Sequence, residues 1–291
     1  AAYIALDENR NFAGAAVDML RADGWDGKII DVNEALALMT RKTLLVVVDT
    51  HKSSFVDFPT LYEKASATVV IDHHRKSVDH IKDALIFFHD PNASSTCEMV
   101  TELMRYITPA PTLSPVEAQA MLAGIMLDTK EFVLSTGVRT FEAAAFLKGK
   151  GADTVAVKRL FSNSIESNRK RSEIISAAHI YRGCAIACTA PGTENARLLS
   201  AQAADELLEV SGVKASFVIF DSGNDSVNIS ARSYGDLNVQ IIMEYLGGGG
   251  HRTMAAAQLT GVNMEEAKSK LCEAIDAKYP RTDGEEPTPI S

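Results

Sequence analysis

Two short apolar runs, each closed by an acid, constrain what this chain can fold into. Leu44-Leu45-Val46-Val47-Val48 stops at Asp49, and Val69-Val70-Ile71 stops at Asp72-His73-His74. Unbroken, β-branched runs of this length are expected to be fully buried strands of a parallel sheet. In open α/β sheets ligands bind beyond the carboxyl ends of the strands. Asp49 and the Asp-His-His triplet are therefore expected to converge at one sheet end, where carboxylate and imidazole suit a hard metal ion. A single acid at a strand end often caps the next helix. Three consecutive titratable residues directly after a buried strand argue for more than that.

The flanking segments alternate β and α, the pattern of a doubly wound, mainly parallel sheet. Residues 1–6 read as a strand ending at Asp7-Glu8, residues 11–22 as a helix broken by Gly24 and Gly27, and Asn33–Met39 as a short helix. Leu61–Ala65 connects the two acid-tipped strands. After Ile86-Phe87-Phe88, the run from Asp90 to Thr96 reads as a loop and N-cap for a helix over Cys97–Tyr106, closed by Pro109 and Pro111. Ser114-Pro115-Val116-Glu117 is a helix start, with Ser as N-cap, Pro at the first position and Glu at the third. That helix is expected to run to Leu127 and present Asp128-Thr129-Lys130. Thr136–Thr140 reads as a turn before a further helix to Lys148.

Residues 1–152 thus form one expected domain and residues 153–180 a helical connector, in which His179 is a solvated helix residue. A smaller α/β domain is expected over residues 181–279, with a disordered Pro- and Glu-rich tail at 280–291. Within it Phe217–Phe220 and Ser226–Arg232 read as a hairpin. Val227, Ile229 and Ala231 face one side; Asn228, Ser230 and Arg232 face the other. A helix over 237–246, four glycines (Gly247–Gly250), His251 and a helix over 263–278 follow.

The chain has 291 residues and a net charge of −9. An acidic excess argues against a general grip on duplex nucleic acid, while leaving room for a local basic pocket that takes a small phosphate ligand. Cys97, Cys184, Cys188 and Cys272 form no secreted framework and are expected to be buried thiols. No apolar stretch reaches membrane-spanning length, so no membrane contact by this chain is expected.

These motifs carry a resemblance. Val-Ile-Asp-His-His-Arg at 70–75, Val-Val-Asp-Thr-His-Lys at 47–52 and Gly-Ile-Met-Leu-Asp-Thr-Lys at 124–130 resemble the DHH phosphoesterase superfamily. Gly247-Gly248-Gly249-Gly250-His251 resembles its DHH-associated domain. The Asp49–Lys52 and Gly124–Lys130 forms most resemble the GdpP-type cyclic di-AMP phosphodiesterases. The resemblance implies Asp49 as a carboxylate bridging two metal ions, with a triplet His and Asp128 as terminal ligands. We place His73 as that ligand. His74 is expected to point the opposite way along the strand and to contact phosphate, while Asp72 orients a ring N–H. Two carboxylates and an imidazole favour Mn²⁺.

The superfamily also carries an early His-x-x-x-Asp-x-Asp motif, which has no counterpart here: residues 1–48 contain no His. The expectation is that the family's first strand lies outside this sequence, which leaves open the residues that complete a metal pair; Asp7, otherwise read as a strand-end turn residue, and His51 are examples. A missing strand would leave an open edge that invites a homodimer. The resemblance further implies a parent anchored in the membrane, with this region on the cytoplasmic side.

For the substrate, consecutive glycines let a backbone approach phosphate and aim N–H groups at it. Gly249, Gly250 and His251, with Asn228, Arg232 and Ser233 on the neighbouring strand, are the expected nucleotide-binding residues. Arg139, beside Gly137, is a further candidate for phosphate contact and catalysis. The expected activity is metal-dependent hydrolysis of cyclic di-AMP to linear pApA. A short linear dinucleotide is the other expected ligand, in an oligoribonuclease or 3′-phosphoadenosine phosphatase of the same superfamily. A non-catalytic nucleotide-binding module is the reading outside enzymology.

Overall fold

The structure, a computed structural model, describes residues 1–7, 13–107, 112–223 and 225–280. Glu8, the start of the helix expected at 11–22, Pro109, Pro111 and the tail from residue 281 lie outside the described residues. The chain is α/β and divides into two compact units, residues 1–162 and 163–291. The connector expected over 153–180 spans that division.

In the first unit β1 (Ile4–Ala5) pairs in parallel with β2 (Ile29–Ile30), with α1 (Gly14–Leu20) between them. α2 (Val32–Leu38) starts where Asp31 accepts the N–H groups of Asn33 and Glu34 and the Glu34 carboxylate returns to the Asp31 N–H. This capping box satisfies donors that a helix start leaves open. β3 (Leu44–Val48), α3 (Pro59–Lys64), β4 (Ala67–Asp72) and β5 (Ile86–His89) follow. The three strands form a parallel sheet in the order β3-β4-β5. Val47, Val70 and Ile81 form its small core.

Burial on both faces, expected for the apolar runs, does not hold for β3. Leu44, Val46 and Val48 are 51%, 47% and 52% exposed, because only Leu45 and Val47 turn toward the core.

The ladder continues past the strand ends. The Asp49 N–H donates to Ile71 O at 3.0 Å and the Asp90 N–H to Asp72 O at 3.2 Å. Asp49, Asp72 and Asp90 thereby arrive at one edge. α4 (Thr96–Ile107), α5 (Pro115–Asp128), α6 (Val138–Gly149) and α7 (Thr154–Leu160) complete the unit. They pack around Leu122, Ile125, Leu147 and Val157. α5 opens on the expected Ser114–Glu117 capping box with Pro115 in its first turn, and it ends at Asp128.

The second unit contains α8 (Ile165–Ser176), β6 (His179–Tyr181), β7 (Cys184–Cys188), α9 (Ala196–Leu207), β8 (Ala215–Gly223) and β9 (Ser226–Ser233). It continues through α10 (Val239–Tyr245), β10 (Gly249–Gly250), β11 (Met254–Thr260) and α11 (Met264–Lys278). Six strands run in the order β10-β11-β9-β8-β7-β6, and only β7 and β8 pair in parallel. The alternation of β9 is as expected: Val227, Ile229 and Ala231 enter one core with Ile242, Leu271 and Ile275. The opposite face of the sheet packs Ala185, Ala187 and Val218 against Leu199, Ala203 and Leu207 of α9.

His179 is not a helix residue. It begins β6 opposite Ile186, since α8 stops at Ser176 and the chain turns into the sheet. All four cysteines are free, with Cys184 and Cys272 buried. No helix among the described residues is long and apolar enough to cross a membrane.

Candidate metal centre at the strand ends

Asp49 leaves β3 with φ +62°, in the left-handed region. Asp tolerates that conformation better than a β-branched residue. Thr96, the first residue of α4, donates its hydroxyl to Asp49 Oδ1 at 2.9 Å. His73 lies just past β4, and its Nδ1–H donates to Ala93 O at 3.3 Å. That fixes the tautomer and leaves Nε2 as the acceptor, 3.6 Å from Asp49 Oδ1 and 3.7 Å from Asp128 Oδ2. A ligating His whose other nitrogen binds a backbone carbonyl is the usual arrangement at metal sites.

His74 departs from expectation. Strand alternation would turn it away from His73, but β4 ends at Asp72, so the alternation stops there. The two rings sit 4.6 Å apart. Donor atoms of Asp49, His73 and His74 all lie within 4.8 Å of one another. The His74 ring binds Asp72 Oδ1 through Nδ1 at 2.8 Å, and its backbone N–H binds the same oxygen at 3.2 Å. Nε2 is the ring atom left for the site.

Charge is distributed to match. Burial works to raise the pKa of Asp72, but hydrogen bonds from His74 and His51 outweigh it and hold the carboxyl well below the usual range. The same hydrogen bond raises the pKa of His74. Burial and the neighbouring Asp49 push the Asp128 carboxyl up to about 6. Two carboxylates crowded around one imidazole nitrogen are what a divalent cation relieves, and an O/N donor set of this kind fits one. His51 does not complete this set. It is 1% exposed, and both ring nitrogens are engaged, Nδ1 by Asp72 and Nε2 by the Ser77 N–H.

Arg139 sits in the first turn of α6, not in a turn between elements. Its guanidinium fork grips Glu102 through Nε at 2.7 Å and Nη2 at 2.6 Å, and it reaches Asp90 through Nη1 at 2.7 Å. The structure thus uses it to tie α4 and the loop after β5 together, with its donors turned to carboxylates.

In the second unit the register places Asn228, Ser230 and Arg232 on the same sheet face as Gly249, through Ala256 opposite Ser230 and Gly249. Asn228 Oδ1 is buried without a partner among the described residues. Arg232 is paired with Asp205 of α9 at 3.1 Å. The expected glycine loop is partly a strand: Gly250 pairs with Ala255, and the exposed His251 donates its N–H to Met254 O at 2.6 Å. Ser233 is buried and donates its hydroxyl to Leu237 O at 2.6 Å, so it ties its own loop and is not displayed to a ligand.

Sequence reasoning missed Thr96, Ser77 and His89, whose Nε2 donates to His74 O at 2.6 Å, and it gave His51 a ligand role in place of its bond to Asp72. Only Thr96 had a local signal, its place in the Ser/Thr cluster before α4.

Residues 3–125 match the DHH family, N-terminal domain, and residues 185–279 match the DHHA1 domain. The chain is 50% identical over 278 residues to the cyclic-di-AMP phosphodiesterase GdpP of Geobacillus thermodenitrificans, covering 94% of this chain and 42% of that protein. It is 46% identical over 285 residues to GdpP of Bacillus subtilis, covering 95% and 43% respectively. The chain therefore spans about two fifths of the length of these relatives. The fold resembles an exopolyphosphatase-related protein from Bacteroides fragilis, at 20% identity and a TM-score of 0.74, covering 89% of this chain and 80% of that one.

Proposed function

The chain belongs to the DHH family, with a DHHA1 domain after its N-terminal domain, and from that premise we propose that the protein carrying it is a metal-dependent phosphodiesterase that opens cyclic di-AMP to linear pApA. The observation that carries this reading is the cluster at the strand ends, where His73 Nε2 lies 3.6 Å from Asp49 and 3.7 Å from Asp128. Asp49, His73 and Asp128 would hold Mn²⁺. A divalent ion bound there supplies a Lewis acid for the phosphate and makes a neighbouring water easier to deprotonate.

The chain's own residues do the rest. His74, held through Nδ1 by Asp72, donates from a protonated Nε2 to a non-bridging phosphoryl oxygen, the charged ring being the form that the Asp72 hydrogen bond favours. Thr96 keeps Asp49 turned to the site. The water oxygen forms a new bond to phosphorus as the P–O3′ bond breaks, and the water proton ends on the departing 3′ oxygen. Asn228, Arg232, Gly249 and His251 are the residues proposed to bind the nucleotide.

Because these nucleotide contacts act in the ground state, His251→Ala or Arg232→Ala should raise KM about tenfold while kcat changes little. Steady-state kinetics on both variants check this; a fall in kcat at constant KM would show that the two sites have been exchanged. Asp205→Ala serves as the control for the Arg232 ion pair.

Turnover of cyclic di-AMP in Mn²⁺, set beside linear pApA and short RNA, tests the function. The cyclic dinucleotide should be consumed first, with mononucleotide appearing later. Faster cleavage of the linear substrates would move the assignment to an oligoribonuclease or 3′-phosphoadenosine phosphatase.

A further inference from the structure

Behind the strand-end cluster lies a buried polar chain that no ligand role explains. His51 is enclosed in the first unit, with its ring 5.8 Å from that of His89 and 6.4 Å from that of Phe87. Its carbonyl accepts the Ile81 N–H at 2.8 Å, and its Nε2 accepts the Ser77 N–H at 2.9 Å. A backbone N–H can only donate, so Nε2 carries no proton. The ring proton is therefore on Nδ1, which donates to Asp72 Oδ2. The other oxygen of this fully buried carboxylate, Oδ1, accepts from His74 Nδ1 at 2.8 Å.

We propose that His51 is a positioning residue: through Asp72 it fixes the Nδ1–H hydrogen bond and the orientation of His74, and so aims His74 Nε2 at the reacting phosphate. For catalysis this rests on the phosphodiesterase reading above. The geometric part does not.

The physical reason is donor accounting in a dry environment. A buried carboxylate must have its oxygens satisfied, and an unmade hydrogen bond there is costly. With His51 present, Oδ2 is taken and Oδ1 is free to face only His74. Without it, Oδ2 is left unsatisfied and the Asp72 carboxylate is no longer held from its far side, so the ring of His74 loses a fixed partner. The loop of residues 75–84 takes part as well, because Ser77 sets which nitrogen of His51 is protonated.

The test compares His51→Leu with His51→Asn in the protein that carries this chain. The Asn amide nitrogen occupies the place of Nδ1 and can still donate to Asp72, but it cannot reach the Ser77 N–H. Leu keeps bulk and loses both. Removing a partner of this kind typically lowers activity 10–100-fold. We expect kcat to fall by about 30-fold in His51→Leu at nearly constant KM, and Asn to restore it to within about threefold of wild type. Both variants should lose thermal stability through the lost Ser77 contact, His51→Leu the more, since it also leaves Asp72 Oδ2 without a donor.

A second readout needs no metal and no turnover. Long-range ¹H–¹⁵N spectra of the metal-free protein should show a hydrogen-bonded Nδ1–H on His74 in wild type and His51→Asn, and its loss in His51→Leu. Equal losses of kcat in the two variants, or an unchanged His74 Nδ1–H signal in His51→Leu, would overturn the proposal. If His51→Leu does not fold, the wild-type spectrum decides, because a proton on Nε2 of His51 contradicts the chain. Absence of hydrolysis by wild type would overturn the phosphodiesterase reading and leave the spectra to judge His51.

Discussion

Asp49→Ala should lower kcat for the cyclic dinucleotide by about a thousandfold or more, equivalent to about 4 kcal/mol of transition-state stabilisation. Asp49 brings the only carboxylate at the end of β3, and Oδ1 is already oriented by Thr96 and faces His73 Nε2. Removing it takes away both a ligand and the charge that a cation needs. Asp49→Asn separates the two contributions. It keeps an acceptor for the Thr96 hydroxyl and the shape of the side chain, so a comparable loss assigns the effect to charge. Thr96→Ala should cost about tenfold, as expected for a residue that only orients a ligand. Steady-state kinetics at saturating Mn²⁺ give the answer. An Asp49→Ala enzyme retaining more than a tenth of wild-type kcat would remove Asp49 from the site.

The largest expected effect on stability lies in the glycine run. Gly250 has φ +146°, and a Cβ there would meet Ala255 Cα at 2.5 Å and Met254 O at 2.5 Å. At Gly248 a Cβ would lie 2.1 Å from Ala256 O. These are backbone atoms of β11, and they cannot yield without breaking the β10–β11 pair. Gly250→Ala combines a strained φ with overlap and should cost about 3 kcal/mol or more. Gly249 differs, because a Cβ there meets nothing within 4 Å. Gly249→Ala should leave thermal unfolding unchanged and act only on nucleotide affinity, since this position opens onto the face shared with Asn228 and Arg232. Melting curves for the three Ala variants, with nucleotide binding for Gly249→Ala, test the division. Equal stability across all three would mean that β10 does not pack as described.

The contrast between these glycines shows how far sequence could carry the reading. The run was legible as a place of close approach, but the approach of Gly248 and Gly250 is to β11 of the same chain. Nothing local distinguishes a backbone neighbour from a phosphate. The strand-end acids were legible because an apolar run and its terminus are one continuous signal, and the start of α5 because Ser114, Pro115 and Glu117 act within one helical turn.

His74 was misplaced because alternation was carried one step past the end of β4. The open face of β3 was unreadable for a related reason: an apolar run specifies what a strand can bury, not which neighbours are present to cover it. Arg139 illustrates the commonest failure. A cation near a glycine looks available for phosphate until the fold brings Glu102, 37 positions away, against it. His51 was read as a candidate ligand and its real role stayed hidden, because its partners, Asp72 and Ser77, lie 21 and 26 positions along the chain.

The most direct test of the central claim is a Mn²⁺ titration followed by electron paramagnetic resonance, in which the signal of free Mn²⁺ is lost on binding. Wild-type protein should take up the ion, and His73→Ala or Asp49→Asn should weaken binding by at least about tenfold, the loss expected when one ligand or its charge is removed. Unchanged affinity in both variants would contradict a metal centre built on the ends of β3 and β4.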